Sequence, residues 1–434
     1  QNPEKDWGKV TLQAVEMAYY VLNERYGVLA RDGSSRIVRL TPKNTITIAS
    51  SISNGAGSAL LAAEQDTQGL ISGVAASEPQ VQPAASSAYS VRQGGVVVNT
   101  PGRALFDYAT YAALYQPCIA SVAGNAGRCT ALVSKGLLNG ADLAAQQADA
   151  KQRLRAYGWL PDSDPLQAAH AGTNILVAVT YAYAYGKFSV TDKVCGFTFA
   201  QTDGSGNPIA FTSAQKAASF AAQNGILGSV VYENSVGGAK GYTAGVSPST
   251  SLADQSLDGF LCLRSLATGR DAVSGVNLEG TLAGQSARVR AGMAEVAASG
   301  KLHGKPAIIV HGRSDTLIPV NHASRAYLGL NAAVEGSSSK LRYIEVTHAN
   351  HFDSFSSALP TLIVPLHVYL NRALDAMYAH LSAKQALPPS QVVRTVTRAD
   401  ASTLITAVNL PAIASTPAAG NAISVTGTVV DVPD

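Results

Sequence analysis

The feature that most constrains this chain is a β-branched run that passes, through small residues only, directly into a helix. Asn44-Thr-Ile-Thr-Ile-Ala-Ser50 reads as a short buried strand, Ser51-Ile-Ser-Asn-Gly-Ala-Gly57 follows at once, and a helix spans Ser58 to Gln65. A strand that feeds a helix without a loop must turn sharply, which lifts the residue at the tip above the sheet edge beside the helix's first N–H groups. Only small side chains fit two positions before and two after that tip. Ser53 meets this with Ser51 before it and Gly55 after it, and Gly57 lets helix and strand approach closely. Ser51, flanked by Ala49 and Ser53, is the alternative tip, but Gly55 gives Ser53 the safer exit and lets the helix begin at Asn54. A serine among small residues is also an ordinary helix N-cap, so the rest of the chain must decide.

The same grammar recurs. A strand at Leu70–Ala76 follows the first helix, Pro306–Val310 is a buried strand ending in His311-Gly-Arg-Ser-Asp315, and Leu341–Val346 is another. Helices are expected from about Asn321 and, as one long stretch, from Ser357 to Lys384. Strands alternating with helices imply an α/β fold, a doubly wound and mostly parallel sheet with helices on both faces. Ahead of it, residues 11–27 carry apolar side chains at Leu12, Val15, Tyr19, Leu22 and Tyr26 and stop at Gly27, an amphipathic helix. Residues 80–300 show helical patterns at 141–157, 165–185 and 286–299 and read as one mainly helical lid inserted into the core. Its tyrosines (Tyr108, Tyr111, Tyr115, Tyr181, Tyr183, Tyr185) suit either ester chains or an ordinary core. After Pro388-Pro389, Gln391–Arg398 and Ala422–Val432 alternate apolar and polar residues, a small terminal β element. The expected organisation is core at 1–79, lid at 80–300, core at 301–387 and a β-rich tail at 388–434.

Charge excludes several function classes. Among 434 residues, 32 are basic and 29 acidic, for a net charge of +3, and no Lys/Arg-rich run marks a nucleic-acid surface. Only 14% of residues are charged and 46% are hydrophobic, so the chain is globular. The most apolar stretch, Ile175–Tyr185, is too short to span a bilayer. Cys118, Cys129, Cys195 and Cys262 form no CxxC pair, and no HExxH occurs, so neither a metal nor a cofactor is expected. An even cysteine count fits two disulfides and an oxidising compartment, secreted or periplasmic. The short intervening loop favours Cys118–Cys129 with Cys195–Cys262, against the alternative of four buried thiols. The polar start, Gln1-Asn-Pro-Glu-Lys5, is no secretory signal.

A serine nucleophile needs a neutral imidazole in reach, and the imidazole needs a carboxylate to fix its tautomer. Asp315 lies just past a buried strand, at the same sheet edge as Ser53. His351 lies past the next strand, in VTHANHFDSF, so the chain order is Ser, Asp, His. Asp315 alone would be explained as a turn cap. His348 competes with His351, which is preferred for the Phe352 that anchors its loop; an H-x-x-H metal site at 348–351 lacks a third ligand. Glu78 is the reserve acid, Asp353 a brace for the histidine loop, and His311 structural.

Three segments, ITIASSISNGAGSALLAAEQDTQGLISGVAASEPQ (46–80), HGRSDTLIPVNHASRAY (311–327) and YIEVTHANHFDSF (343–355), resemble the D-(−)-3-hydroxybutyrate oligomer hydrolases. The resemblance implies an α/β-hydrolase-type serine esterase that cleaves short, soluble hydroxybutyrate oligomers, with Ser53 as nucleophile. Asp315, His351 and an oxyanion donor at the Asn54 backbone N–H follow from general hydrolase geometry. Such a fold has several strands before the elbow, yet only 52 residues precede Ser53 here. An N-terminal segment or companion chain is therefore expected to complete the sheet and supply the second oxyanion donor. Competing readings are a feruloyl-esterase- or tannase-like enzyme and, in another class, a catalytically inactive hydrolase-fold binding protein.

Overall fold

The computed structural model describes residues 2–84, 86, 88–120, 126–221 and 228–434. The β-branched and small apolar runs form a five-stranded sheet of β1 (Ile48–Ile52), β2 (Gly73–Ser77), β3 (Ala307–Gly312), β4 (Leu341–Val346) and β5 (Gln391–Val393). Spatial order follows chain order, and every neighbouring pair is parallel. Ile52 stands opposite Ser77, and Ser77 opposite Val310, which is opposite Ile344. That register brings the carboxyl ends of four strands to one edge, where the loops carrying polar residues begin. β2 and β3 are buried throughout, as their mostly apolar sequences require, with the polar Ser77 and His311 at their carboxyl ends.

Helices α1 (Trp7–Tyr26), α2 (Ser53–Gln65), α3 (Ser324–Glu335) and α4 (His367–Ala383) flank the sheet. Side chains alternate across a strand. Ile308, Val310, Ile344 and Val346 therefore face one way, packing with Tyr369, Ala373 and Met377 of α4. Each such aliphatic side chain contributes about 1.5–3 kcal/mol by leaving water. Tyr343 and Glu345 face the other way, where Glu345 accepts from Arg325 of α3 at 2.8 Å and from the Tyr343 hydroxyl at 2.7 Å. Tyr327 of α3 donates to Glu64 of α2 at 2.8 Å, joining the two helices on that face. Among the described residues the strand order shows no reversal, while helices cover both faces.

Three expectations shift. Gln391–Val393 is no isolated terminal element but joins the main sheet beside β4. The long helix expected over 357–384 is broken into Phe355–Ala358 and α4, because Pro360 and Pro365 lack the N–H groups a helix needs. Residues 90–93 pair with 429–432, and the chain divides into one compact unit of residues 3–102 with 297–434 and another of residues 103–296 together with Asn2. The second unit holds helices Leu105–Ile119, Leu143–Tyr157, Ala171–Gly186, Leu257–Thr268 and Gly280–Glu295. It also holds both disulfides, paired Cys118–Cys129 and Cys195–Cys262. Tyr108, Tyr115, Tyr181, Tyr183 and Tyr185 are buried within it as core. Among the described residues no helix is long and apolar enough to cross a membrane.

Candidate active site

Strand β1 passes into α2 with no loop, and Ser53 at the junction has φ 52°, the left-handed region. A side chain there costs about 1–2 kcal/mol, so its surroundings must hold it. They do: the Gln80 N–H donates to the Ser53 carbonyl at 3.0 Å. A β-carbon on Gly57 would lie 2.1 Å from the Gln80 carbonyl oxygen, and one on Gly55 would lie 2.1 Å from the Ser51 hydroxyl. The two glycines therefore let the elbow close against its own strand and against the segment after β2. The helix begins at Ser53 itself, one residue before the expected Asn54. Asn54 thus sits in the first turn, at the end of the helix that carries partial positive charge.

His351 Nε2 lies 2.9 Å from Ser53 Oγ, and His351 Nδ1 lies 2.8 Å from Asp315 Oδ2. A carboxylate only accepts, so Nδ1 carries the proton and Nε2 is left to accept from the Ser53 hydroxyl. Asp315 is saturated: Oδ1 accepts from the Leu317 and Ile318 N–H groups, each at 2.8 Å, and Oδ2 from His351 and from His311 at 3.1 Å. Burial alone would raise the Asp315 pKa, but His351 and His311 outweigh it and hold the carboxyl well below the usual range. For His351 the balance is opposite. Burial disfavours its charged form, yet Asp315, with Glu78 behind it, raises its pKa. A buried imidazole thus sits beside a hydroxyl on one side and a fixed anion on the other, able to take the serine's proton.

A family model described as 3HB-oligomer hydrolase matches residues 1–434. The chain belongs to that family. A D-(−)-3-hydroxybutyrate oligomer hydrolase of Polaromonas naphthalenivorans is 47% identical over 460 residues, covering 100% of this chain and 64% of the relative. Proteins of the same name from Albidiferax ferrireducens and Cupriavidus metallidurans are 47% and 43% identical, and the chain covers 64% and 62% of their lengths. No solved structure matches the chain.

Within this chain the remaining sequence candidates separate cleanly. Ser51 is the small residue under Gly55 and not the tip. His348 is exposed and bonds Thr395 Oγ1 at 3.2 Å. Glu78, fully buried with φ 35°, reaches His367 Nε2 at 2.9 Å. Asp353 accepts from the N–H groups of Leu366 and His367, capping α4. Two residues were missed. His311, expected to be structural, is the second donor to Asp315, and its spacing of four from Asp315 at a strand end is the available signal. Its Nε2 also faces the Ile318 carbonyl at 3.1 Å, so Nε2 carries the proton and Nδ1 accepts from Ser324 at 2.7 Å. His367 had no signal, since it follows a proline in an expected helix interior. Among the described residues no group of three or more His, Cys, Asp or Glu could hold a metal.

Proposed function

We propose that this chain carries the catalytic machinery of a serine esterase that hydrolyses short 3-hydroxybutyrate oligomers through an acyl-enzyme. The observation that carries the reading is the continuous hydrogen-bonded chain from Ser53 through His351 to Asp315. His351 takes the proton as Ser53 Oγ attacks the ester carbonyl, and the Asn54 N–H stabilises the oxyanion. His351 then protonates the departing 3-hydroxyl, and water repeats the cycle to release the acid. Asp315 keeps the imidazole oriented and stabilises its cation. The substrate class comes from the names of the relatives, whose sequences extend well beyond this chain.

In the same proposal the sheet is the later part of an α/β-hydrolase sheet and residues 103–296 act as its lid. A further segment completes the sheet beyond β1 and supplies the second oxyanion donor. Two observations support that segment. Among the described residues no strand pairs with the outer edge of β1, and α1 exposes Val10, Met17 and Tyr20, the last at 61%. The disulfides support an oxidising, extracytoplasmic location.

The test is Ser53→Ala in the full-length gene product, assayed on hydroxybutyrate dimer and trimer and on aromatic esters. Turnover of the dimer and trimer should fall by a factor on the order of 10⁶, and a fluorophosphonate should label the wild type at Ser53 only. Esterase activity retained in the variant would sink the assignment, and faster turnover of aromatic esters by the wild type would replace the substrate.

A further inference from the structure

The esterase reading leaves unused one histidine beside the reacting loop. His367, the first residue of α4, has both ring nitrogens against carboxylates: Nε2 lies 2.9 Å from Glu78 Oε1 and Nδ1 lies 3.3 Å from Asp353 Oδ2. An ionised carboxylate cannot donate, so the hydrogen bond to Glu78 puts a proton on Nε2, and the second carboxylate beside Nδ1 favours a proton there too, making the ring an imidazolium. Glu78 has strong reason to keep it so. Its carboxylate is fully buried in a left-handed backbone position, and besides His367 it accepts from the adjacent Ser77 hydroxyl. A buried carboxylate without a cation is costly, and its partner's charge is what offsets that cost.

The three residues join the two halves of the proposed site. Glu78 directly follows Ser77, the register partner of Ile52, and Gln80 two residues on bonds the Ser53 carbonyl. Asp353 lies two residues after His351 and caps α4 through the Leu366 and His367 N–H groups. We propose that His367 is a positioning residue, whose imidazolium ties Glu78 behind the nucleophile elbow to Asp353 on the histidine loop and so holds His351 against Ser53. This rests on the esterase reading of Ser53 and His351. The titratable groups facing His367 are Glu78 after β2, and Asp353 and His351 on the histidine loop. The hydrogen bond that His367 donates to Glu78 raises its pKa against the effect of partial burial, and the Glu78 and Asp353 charges add to it. As pH rises through that raised value the ring loses its charge, and the clasp loosens on the alkaline side. His367 acts through His351, so the effect belongs in kcat and not in KM.

Two measurements on the full-length gene product test this. With ¹⁵N-labelled histidine, the wild-type His367 signals, assigned by their loss in His367→Gln, should show both ring nitrogens protonated at pH 7. In kinetics, His367→Gln should lower kcat about tenfold or more with KM within twofold. The same change should remove an alkaline limb from the wild-type kcat profile. Adding Glu78→Gln should recover part of the loss, because the buried charge is then gone. A singly protonated His367 at pH 7 would overturn the clasp, as would a His367→Gln enzyme with unchanged kcat and pH profile. Failure of a fluorophosphonate to label wild-type Ser53 would instead overturn the esterase reading, and the ring-proton count would still decide the clasp.

Discussion

At Ser53 a single backbone angle links local strain to chemistry. With φ 52°, the residue is held where a β-carbon is penalised. At ordinary positions alanine stabilises relative to glycine by about 0.5–1 kcal/mol. Here the order should reverse, with Ser53→Gly about 1 kcal/mol more stable than Ser53→Ala, measured by denaturant midpoints at equal slope. Glycine and alanine in the usual order would mean that the elbow is unstrained. The histidine gives a pH prediction. Burial lowers the His351 pKa, but Asp315 outweighs burial and raises it above the ordinary 6.5. The proposed mechanism needs the neutral ring, so the acid limb of kcat/KM should lie above that value. The stabilising effect of this charge is complete below the unfolded pKa and is lost as pH rises through the folded one. In Asp315→Asn the main raising effect is gone, and burial is opposed only by the more distant Glu78 charge. The acid limb should move to lower pH while kcat falls by a factor on the order of 10⁴, since the tautomer is no longer fixed. An acid limb that stays in place would show that Asp315 does not set the pKa of the essential base. At this scale the sequence was most legible: Ser53, Asp315 and His351 each follow a strand end, and a strand end is a local pattern. The supporting histidines His311 and His367 were not legible as such. Their roles depend on which way a ring points across a buried cluster; spacing hints at this only for His311, four residues before Asp315.

Elements were legible where their signals were local and failed where partners were distant. The apolar runs of β2, β3 and β4 mark buried strands by themselves, and α1 and α2 follow from periodicity and small residues. The three-residue β5 does not, because nothing in Gln391-Val-Val393 says that its neighbour is β4. Pro117 gives a sharper case. It lies inside the helix Leu105–Ile119 and lacks the N–H that would bond the Ala113 carbonyl. The fully buried Arg128 replaces it, donating to the Ala113 carbonyl at 2.7 Å and the Leu114 carbonyl at 3.1 Å, and on to the Asp254 carbonyl at 3.0 Å. Burial brings the Arg128 pKa down to about 10, Asp254 and Asp258 opposing that fall, so the guanidinium stays charged at neutral pH. Arg128→Met preserves length and apolar bulk but strands these carbonyls, each costing about 1–3 kcal/mol when left unpaired. The variant should lose at least about 3 kcal/mol of stability in thermal or urea unfolding. A loss below about 1 kcal/mol would mean that the broken helix does not depend on this arginine.

At the scale of the whole molecule, the division into two units was partly hidden because residues 80–102 read as insertion but pair with the C-terminal strand. The cysteines show the division most plainly: all four fall within residues 103–296, and none in the unit that carries the sheet. Closing loops with sequence separations of 11 and 67 residues restricts the unfolded chain, and loop-entropy scaling gives about 3 and about 4 kcal/mol for such bridges. That stabilisation belongs to one unit only, whereas the sheet unit rests on its apolar core and on the buried Arg325–Glu345–Arg313 cluster. Heating should therefore give two transitions, and a reductant should lower one by many degrees and leave the other within a degree or two. Limited proteolysis of the reduced protein should then cut first within residues 103–296, while the sheet unit keeps its protection. If both transitions fell together on reduction, the two units would be a single cooperative one. The cysteine-free core would then depend on cross-links that it does not contain.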